Sequence, residues 1–167
     1  MKKEQFRKFL PSVIPIDLTG INAFHVETCF ITDNGNSYTK IEKNTDLSPG
    51  GISFANLSLH IPHKDYDAVF SARIPESDAT YLLGTSVNKI KKYKYHLRHE
   101  HADVFINRYT LGIITIDIDS TLPIDTLPEY CGIEVTGDKQ YEELYLSAMR
   151  EIIRQDKKKK LDRDINL

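Results

Sequence analysis

Apolar and polar residues alternate along this chain in short runs, and the runs are separated by clusters of turn-forming residues: DLTG (17–20), TDNGN (32–36), LSPGG (47–51), IPHKD (61–65) and NRYTLG (107–112). The segments between are rich in Val, Ile, Thr, Tyr and Phe and predict eight strands, near 3–10, 22–31, 37–43, 52–61, 66–74, 89–97, 101–106 and 112–119. After Pro75, Ala79, Leu82 and Leu83 fall at helical spacing with Ser77 placed to cap, which predicts a short helix inside the strand series. Beyond Asp138, Tyr141, Leu144, Tyr145, Ala148, Met149, Ile152 and Ile153 mark one face of a second, amphipathic helix. The expected class is α+β, mainly β.

Sorting each strand by its two-residue period puts charge at the middle of strands. Lys92, Lys94 and His96 share one face of 89–97, and Asp103 opposes Ala102, Val104 and Ile106. Lys40 lies with Glu42 and Tyr38, His60 lies with Asn56 and Ser58, and Asp67, Ser71 and Arg73 oppose Ala68, Phe70, Ala72 and Ile74. In GIITIDID (112–119), Asp117 and Asp119 share a face, with Cα atoms about 6 to 7 Å apart on an extended strand. Two architectures give such a pattern: an antiparallel sheet with one solvated face, or a closed barrel with a polar interior and helices outside. In a barrel, the cations would meet phosphate oxygens and the carboxylates a divalent metal.

Composition narrows the class without naming a partner. The 167 residues suit a single domain, expected over 1–155 with a charged, frayed tail at 156–167. The sequence is 40 % hydrophobic and 28 % charged, and its net charge is only −2, so no acidic or basic partner is indicated. The four lysines at 157–160 fit a solvated tail better than a nucleic-acid site. The first ten residues lack the apolar run of a signal peptide, and no stretch approaches a membrane span, so a cytoplasmic protein without membrane contact is expected. Cys29 and Cys131 lie far apart and suggest buried, reduced thiols. His25, His63, His99 and His101 have no zinc-like spacing, and His99 and His101 fall in an expected hairpin turn.

Four motifs in the C-terminal half, in order, carry a family likeness: Lys92-Tyr93-Lys94-Tyr95, Asp103-Val104-Phe105, Asp117-Ile118-Asp119, and Glu134-Val135-Thr136-Gly137-Asp138 followed by Tyr141. Together they resemble the CYTH family, also called triphosphate tunnel metalloenzymes. That family has a Lys-x-Arg-Tyr strand, a strand around Asp-x-Phe, a strand ending Glu-x-Glu, and a closing Glu-Val-Thr-Gly-Asp-x-x-Tyr before a helix. The closing motif matches without a gap. Toward the N-terminus the family's Glu-x-Glu-x-Lys reads Glu4-Gln5-Phe6-Arg7-Lys8, its Arg-x-Arg falls on Lys40-Ile41-Glu42, and its Thr-x-Lys falls on Ser58-Leu59-His60. Its acidic strand before Ile-Pro carries Arg73. The resemblance spans residues 4–146.

The resemblance implies an eight-stranded antiparallel tunnel that binds a triphosphate-containing ligand, a nucleotide or inorganic triphosphate. It implies Glu4, Asp117 and Asp119 as ligands to Mg²⁺ or Mn²⁺, and Lys8, Lys40, His60, Lys92 and Lys94 as phosphate contacts. Arg73 would be an added tunnel cation and phosphate contact, or else a partner for Asp67 or an interior acid, and Glu42 and Asp103 would be further tunnel acids. The departures weaken the metal chemistry. Phe6 removes a carboxylate, and aspartate at Asp117 and Asp119 shortens each reach by about 1.5 Å, so one metal is accommodated rather than two. Lysine at Lys40 and Lys94 keeps charge but loses the arginine fork, and His60 is a cation only when protonated. Three activities fit: a weakened metal-dependent triphosphatase, an adenylyl cyclase-like enzyme, or a non-catalytic nucleotide-binding protein that senses or sequesters its ligand. A homodimer is left open.

Overall fold

The computed structural model describes residues 6–13, 16–32, 37–62 and 67–149. Its strands are β1 (Phe6–Pro11), β2 (Ala23–Thr32), β3 (Tyr38–Asp46), β4 (Ser53–Pro62), β5 (Asp67–Ile74), β6 (Lys89–His99), β7 (Ala102–Tyr109), β8 (Ile114–Asp119) and β9 (Cys131–Glu134). One helix, α1 (Glu76–Thr85), interrupts them, and residues 143–149 are helical. The chain is therefore α+β and mainly β. None of the described helices is long and apolar enough to cross a membrane. Expected residues 3–5 of the first strand, the second helix beyond 149 and the tail at 156–167 lie outside the described residues.

Hydrogen bonding orders the strands β5-β4-β3-β2-β6-β7-β8-β1-β9. Among the described residues this order does not close on itself, so the expected closed eight-stranded tunnel is not supported. The physical reason lies at β1. Its one edge pairs with β8, and β9, a strand absent from the eight expected, takes its other edge through Phe9 opposite Glu134 and Pro11 opposite Cys131. Gly132 permits that approach, because a Cβ there would meet the Leu10 carbonyl oxygen at 2.9 Å and the Ser12 nitrogen at 3.0 Å.

Two compact units divide the chain. The first comprises residues 1–26, 45–52 and 91–141. Its apolar core is Phe9, Ala102, Val104, Ile106, Ile116, Ile118 and Leu122, with Ile16, Leu18, Leu127 and Tyr130 packed against it. The register explains that core: Phe9 is opposite Ile116, Ile116 opposite Ile106, and Ile118 opposite Val104, so every second residue of three adjacent strands meets on one face. The second unit comprises 27–44, 53–90 and 142–167. Here Cys29, Ile41 and Ala55 of the strands bury Ala79 and Leu83 of α1, with Leu57, Ile74 and Leu82 at the margin. That is the helical spacing seen in the sequence.

Smaller corrections concern local chemistry. The N-cap of α1 is Pro75, with no side-chain bond, rather than Ser77. Pro75 enters with φ −57° and ψ 142°, which makes it the last extended residue, and its carbonyl accepts the Ala79 N–H at 3.1 Å. NRYTLG is only half a turn: β7 runs through Tyr109, and the reversal is at 110–112. His99 ends β6, and the tight turn that follows holds Glu100 at φ 53°. Both cysteines are free, Cys29 buried but Cys131 only half-buried. Burial pushes the Cys131 thiol up to about 11, despite the lowering pull of Arg7.

A polar sheet face as candidate functional site

The face of β6, β7, β8 and β1 opposite the first unit's core gathers six of the candidate residues: Lys8, Lys92, Lys94, Asp103, Asp117 and Asp119. Register places them in rows. His96 is opposite Phe105, Phe105 opposite Asp117, and Asp117 opposite Lys8, one row across four strands. The next row is Lys94, Asn107 and Thr115, and Lys92 lies opposite Tyr109 beyond it. Residues directly opposite in antiparallel strands project to the same side, so the alternation that builds the core on one face builds this polar surface on the other.

The face is dry at one end. Asn107 and Thr115 are fully buried and Lys92 is 8 % exposed. Asn107 Nδ2 donates to Asp117 Oδ2 at 2.7 Å and reaches Thr115 Oγ1 at 3.4 Å. The remaining oxygens of this pair, Asn107 Oδ1 and Asp117 Oδ1, are buried and make no hydrogen bond among the described residues. Two desolvated acceptors left without donors are costly, roughly 1 to 3 kcal/mol each.

Phe105 organises the other end. Phe6 meets it edge-on at 5.6 Å between centroids, His96 stacks on it at 4.8 Å, and Lys94 Nζ lies 4.0 Å from its centroid. A lysine over a ring keeps its charge and is held by the ring quadrupole. Lys92 Nζ lies 5.6 Å from the Tyr109 ring centroid. Asp103 Oδ1 is 2.8 Å from His96 Nε2 and 3.9 Å from Arg98 Nε, so this acid is engaged beside the ring cluster. Asp119, though on the same strand face as Asp117, turns its Oδ1 back to accept the N–H and hydroxyl of Thr121, each at 2.9 Å. Those two donors, the backbone one foremost, hold its carboxyl below the usual range. Glu4 lies outside the described residues. Among the described residues, no three His, Cys, Asp or Glu side chains cluster as a metal site.

The segment after β9 clamps Lys8 from the rim. Val135 N donates to the Lys8 carbonyl and Thr136 Oγ1 accepts the Lys8 N–H, both at 2.8 Å. Lys8 Nζ donates to the Tyr141 carbonyl at 3.1 Å. Gly137, at φ 77°, turns the chain, and Asp138 then accepts from Gln140 and Tyr141. Glu134 takes the fork of Arg7, Nε to Oε1 at 3.1 Å and Nη2 to Oε2 at 2.6 Å. The EVTGD run thus fixes the β1 lysine through backbone and hydroxyl groups.

The other candidates belong to the second unit and are locally committed. Lys40 Nζ is 2.7 Å from Glu42 and 3.2 Å from Glu143, and Asn44 Nδ2 donates to Glu42 at 3.0 Å. Burial alone would push the Glu42 carboxyl up, but Lys40 outweighs it and the group sits below the usual range, even with Glu143 opposing. His60 stacks on Tyr38 at 4.4 Å between centroids, and the exposed Arg73 lies over the Phe54 ring at 5.2 Å.

Asn107, Phe105 and His96 are the participants that sequence reasoning did not nominate. A groove of about 540 Å³ also lies on the core side of the same strands, lined by Ile16, Asp17, Leu18, Thr19, Tyr95 and Arg108. The chain matches no family model, and comparison with curated proteins returns no match.

Proposed function

We propose that this protein binds a ligand carrying a phosphate chain, a nucleotide or inorganic triphosphate, on the polar face of β6, β7, β8 and β1, together with one divalent cation at Asp117. The observation that carries the reading is the buried pair of unbonded oxygens, Asp117 Oδ1 and Asn107 Oδ1, on a face that also presents Lys8, Lys92 and Lys94. A carboxylate and an amide carbonyl are hard oxygen donors of the kind Mg²⁺ and Mn²⁺ take, so the residues present fit such an ion. Bound there, the ion would neutralise phosphoryl charge and acidify a coordinated water. The lysines would hold the phosphate chain by charge, and the dry end of the face would strengthen every such contact. Hydrolysis is expected to be slow, because Phe6 stands where a second carboxylate would and Asp119 is engaged by Thr121.

One observation favours a second reading, a metal-independent binding protein: Phe6, His96 and Lys94 converge on Phe105, a platform suited to a ring and an anion. Calorimetry separates the two. Tripolyphosphate, ATP and thiamine triphosphate are titrated with Mn²⁺ and again with EDTA, using the wild type, Asp117→Asn and Lys92→Ala/Lys94→Ala. Binding lost in EDTA and in Asp117→Asn supports the first reading, and binding indifferent to both supports the second. No heat with any ligand under either condition sinks both.

A further inference from the structure

Among the described residues, β5 ends the hydrogen-bonding order, with β4 its one strand neighbour. Its pairing runs without a bulge from Ile74 opposite Ala55 to Asp67 opposite Pro62, so no register shift interrupts the strand. Edge strands are ordinarily blunted by proline, lysine, a bulge or a cover. DAVFSARI has neither proline nor lysine, and its exposed residues include Val69 at 43 % and Phe70 at 63 %. Phe70 shares its face with Leu59, directly opposite it and also exposed, and with Ile61 one pair further along.

The sequence of this edge is complementary to itself. When two copies of β5 pair antiparallel about Phe70, Asp67 of one falls opposite Arg73 of the other, Ala68 opposite Ala72, Val69 opposite Ser71, and Phe70 opposite Phe70. Both ends then match acid with base, and the small residues meet each other. By the period of two, the paired Phe70 residues join Leu59 of each copy on the apolar face, while Arg73 falls on the other. A parallel pairing, or an antiparallel one shifted by a residue, loses one or both of these matches. A two-fold axis between the paired Phe70 residues is the isologous contact that closes a dimer and uses up the β5 edge of both copies.

We infer that the occupant of this edge is a second copy of the chain, and that the protein is a homodimer joined through β5 into a continuous antiparallel sheet. Two measurements test this on the full chain. Sedimentation equilibrium of the wild type gives twice the chain mass, Arg73→Asp weakens association at least tenfold, and Asp67→Arg combined with Arg73→Asp restores it. In a Cys131→Ser background, Phe70→Cys forms an intersubunit disulfide under mild oxidation, because the paired Cα atoms lie within bridging range. Ala72→Cys alone does not, since its two copies stand about 13 Å apart, whereas a mixture of Ala68→Cys and Ala72→Cys does. A monomer at every concentration overturns the inference. So does a dimer that Phe70→Cys fails to bridge, a charge reversal that the double variant does not rescue, or capture of the edge by a different protein in place of self-association.

Discussion

The same mid-strand charge has opposite fates in the two units. In the second unit, Lys40, Glu42, Asn44 and Glu143 satisfy one another, His60 lies flat on Tyr38, and Arg73 lies over Phe54. In the first, Asn107 and Asp117 share one hydrogen bond and keep two buried oxygens with no donor among the described residues. Alternation says which side chains share a face. Whether that face is finished as structure or left open to a ligand depends on whether each polar atom finds a partner within it.

The largest expected effect lies at Lys40, the cation between Glu42 and Glu143. Lys40→Met leaves Glu42 and Glu143 facing each other, partly buried and without their cation, and is expected to cost about 3 kcal/mol in urea unfolding at pH 7. The sign of its pH dependence follows from Glu42. In the wild type its folded carboxyl lies below the unfolded value, so its contribution is complete above that value and is lost as pH falls through the lowered folded one. In Lys40→Met, burial and Glu143 push the same carboxyl up, so the variant is relieved by protonation. The deficit therefore shrinks between pH 7 and pH 4. A deficit that is constant or grows toward pH 4 shows that Lys40 acts by packing alone.

The sequence made the faces legible because a strand's period of two is enforced by backbone geometry, which is why Lys8, Lys92, Lys94 and Asp117 fall where alternation puts them. Atom-level partners were not legible. Asp119 lies on the expected face, yet Thr121 two residues on offers a donor pair that no periodicity encodes. Asn107 was hidden because NRYTLG has turn composition, and only pairing with β6 and β8 carries β7 through Tyr109. β9 was missed because CGIE is four residues long with a glycine inside, and its strand character comes from pairing with β1. That same pairing leaves the order open where a closed tunnel was expected.

A middle-sized effect sharpens the first unit's side of the comparison. Asn107→Leu removes the one hydrogen bond to the Asp117 carboxylate found among the described residues and leaves its second oxygen unbonded, at an expected cost of about 2 kcal/mol in metal-free buffer. Asn107→Leu/Asp117→Leu removes both orphaned oxygens together with the bond and should be no less stable than Asn107→Leu alone. If the double variant instead loses the sum of the two single losses, the two side chains are uncoupled and the contrast with Lys40 fails.

The smallest expected effect lies at the rim, where Arg7 and Glu134 form a forked ion pair whose side chains keep 19 % and 37 % of their exposure. Arg7 holds the Glu134 carboxyl below the usual range chiefly by direct hydrogen bonding, with Thr136 helping. Water and salt screen such a pair, so the bidentate geometry is worth about 0.5 to 1 kcal/mol rather than the larger cost expected at Lys40. Arg7→Met keeps an aliphatic stem near Phe9, over which the guanidinium now lies at 5.0 Å, and so isolates the charge. The loss should be readable at 20 mM salt, nearly vanish at 1 M, and fade as pH falls through the lowered Glu134 value. A loss that persists at 1 M salt would place the role of Arg7 in covering Phe9. The rim would then depend on packing over the first unit's core, whereas Lys40 in the second unit depends on charge.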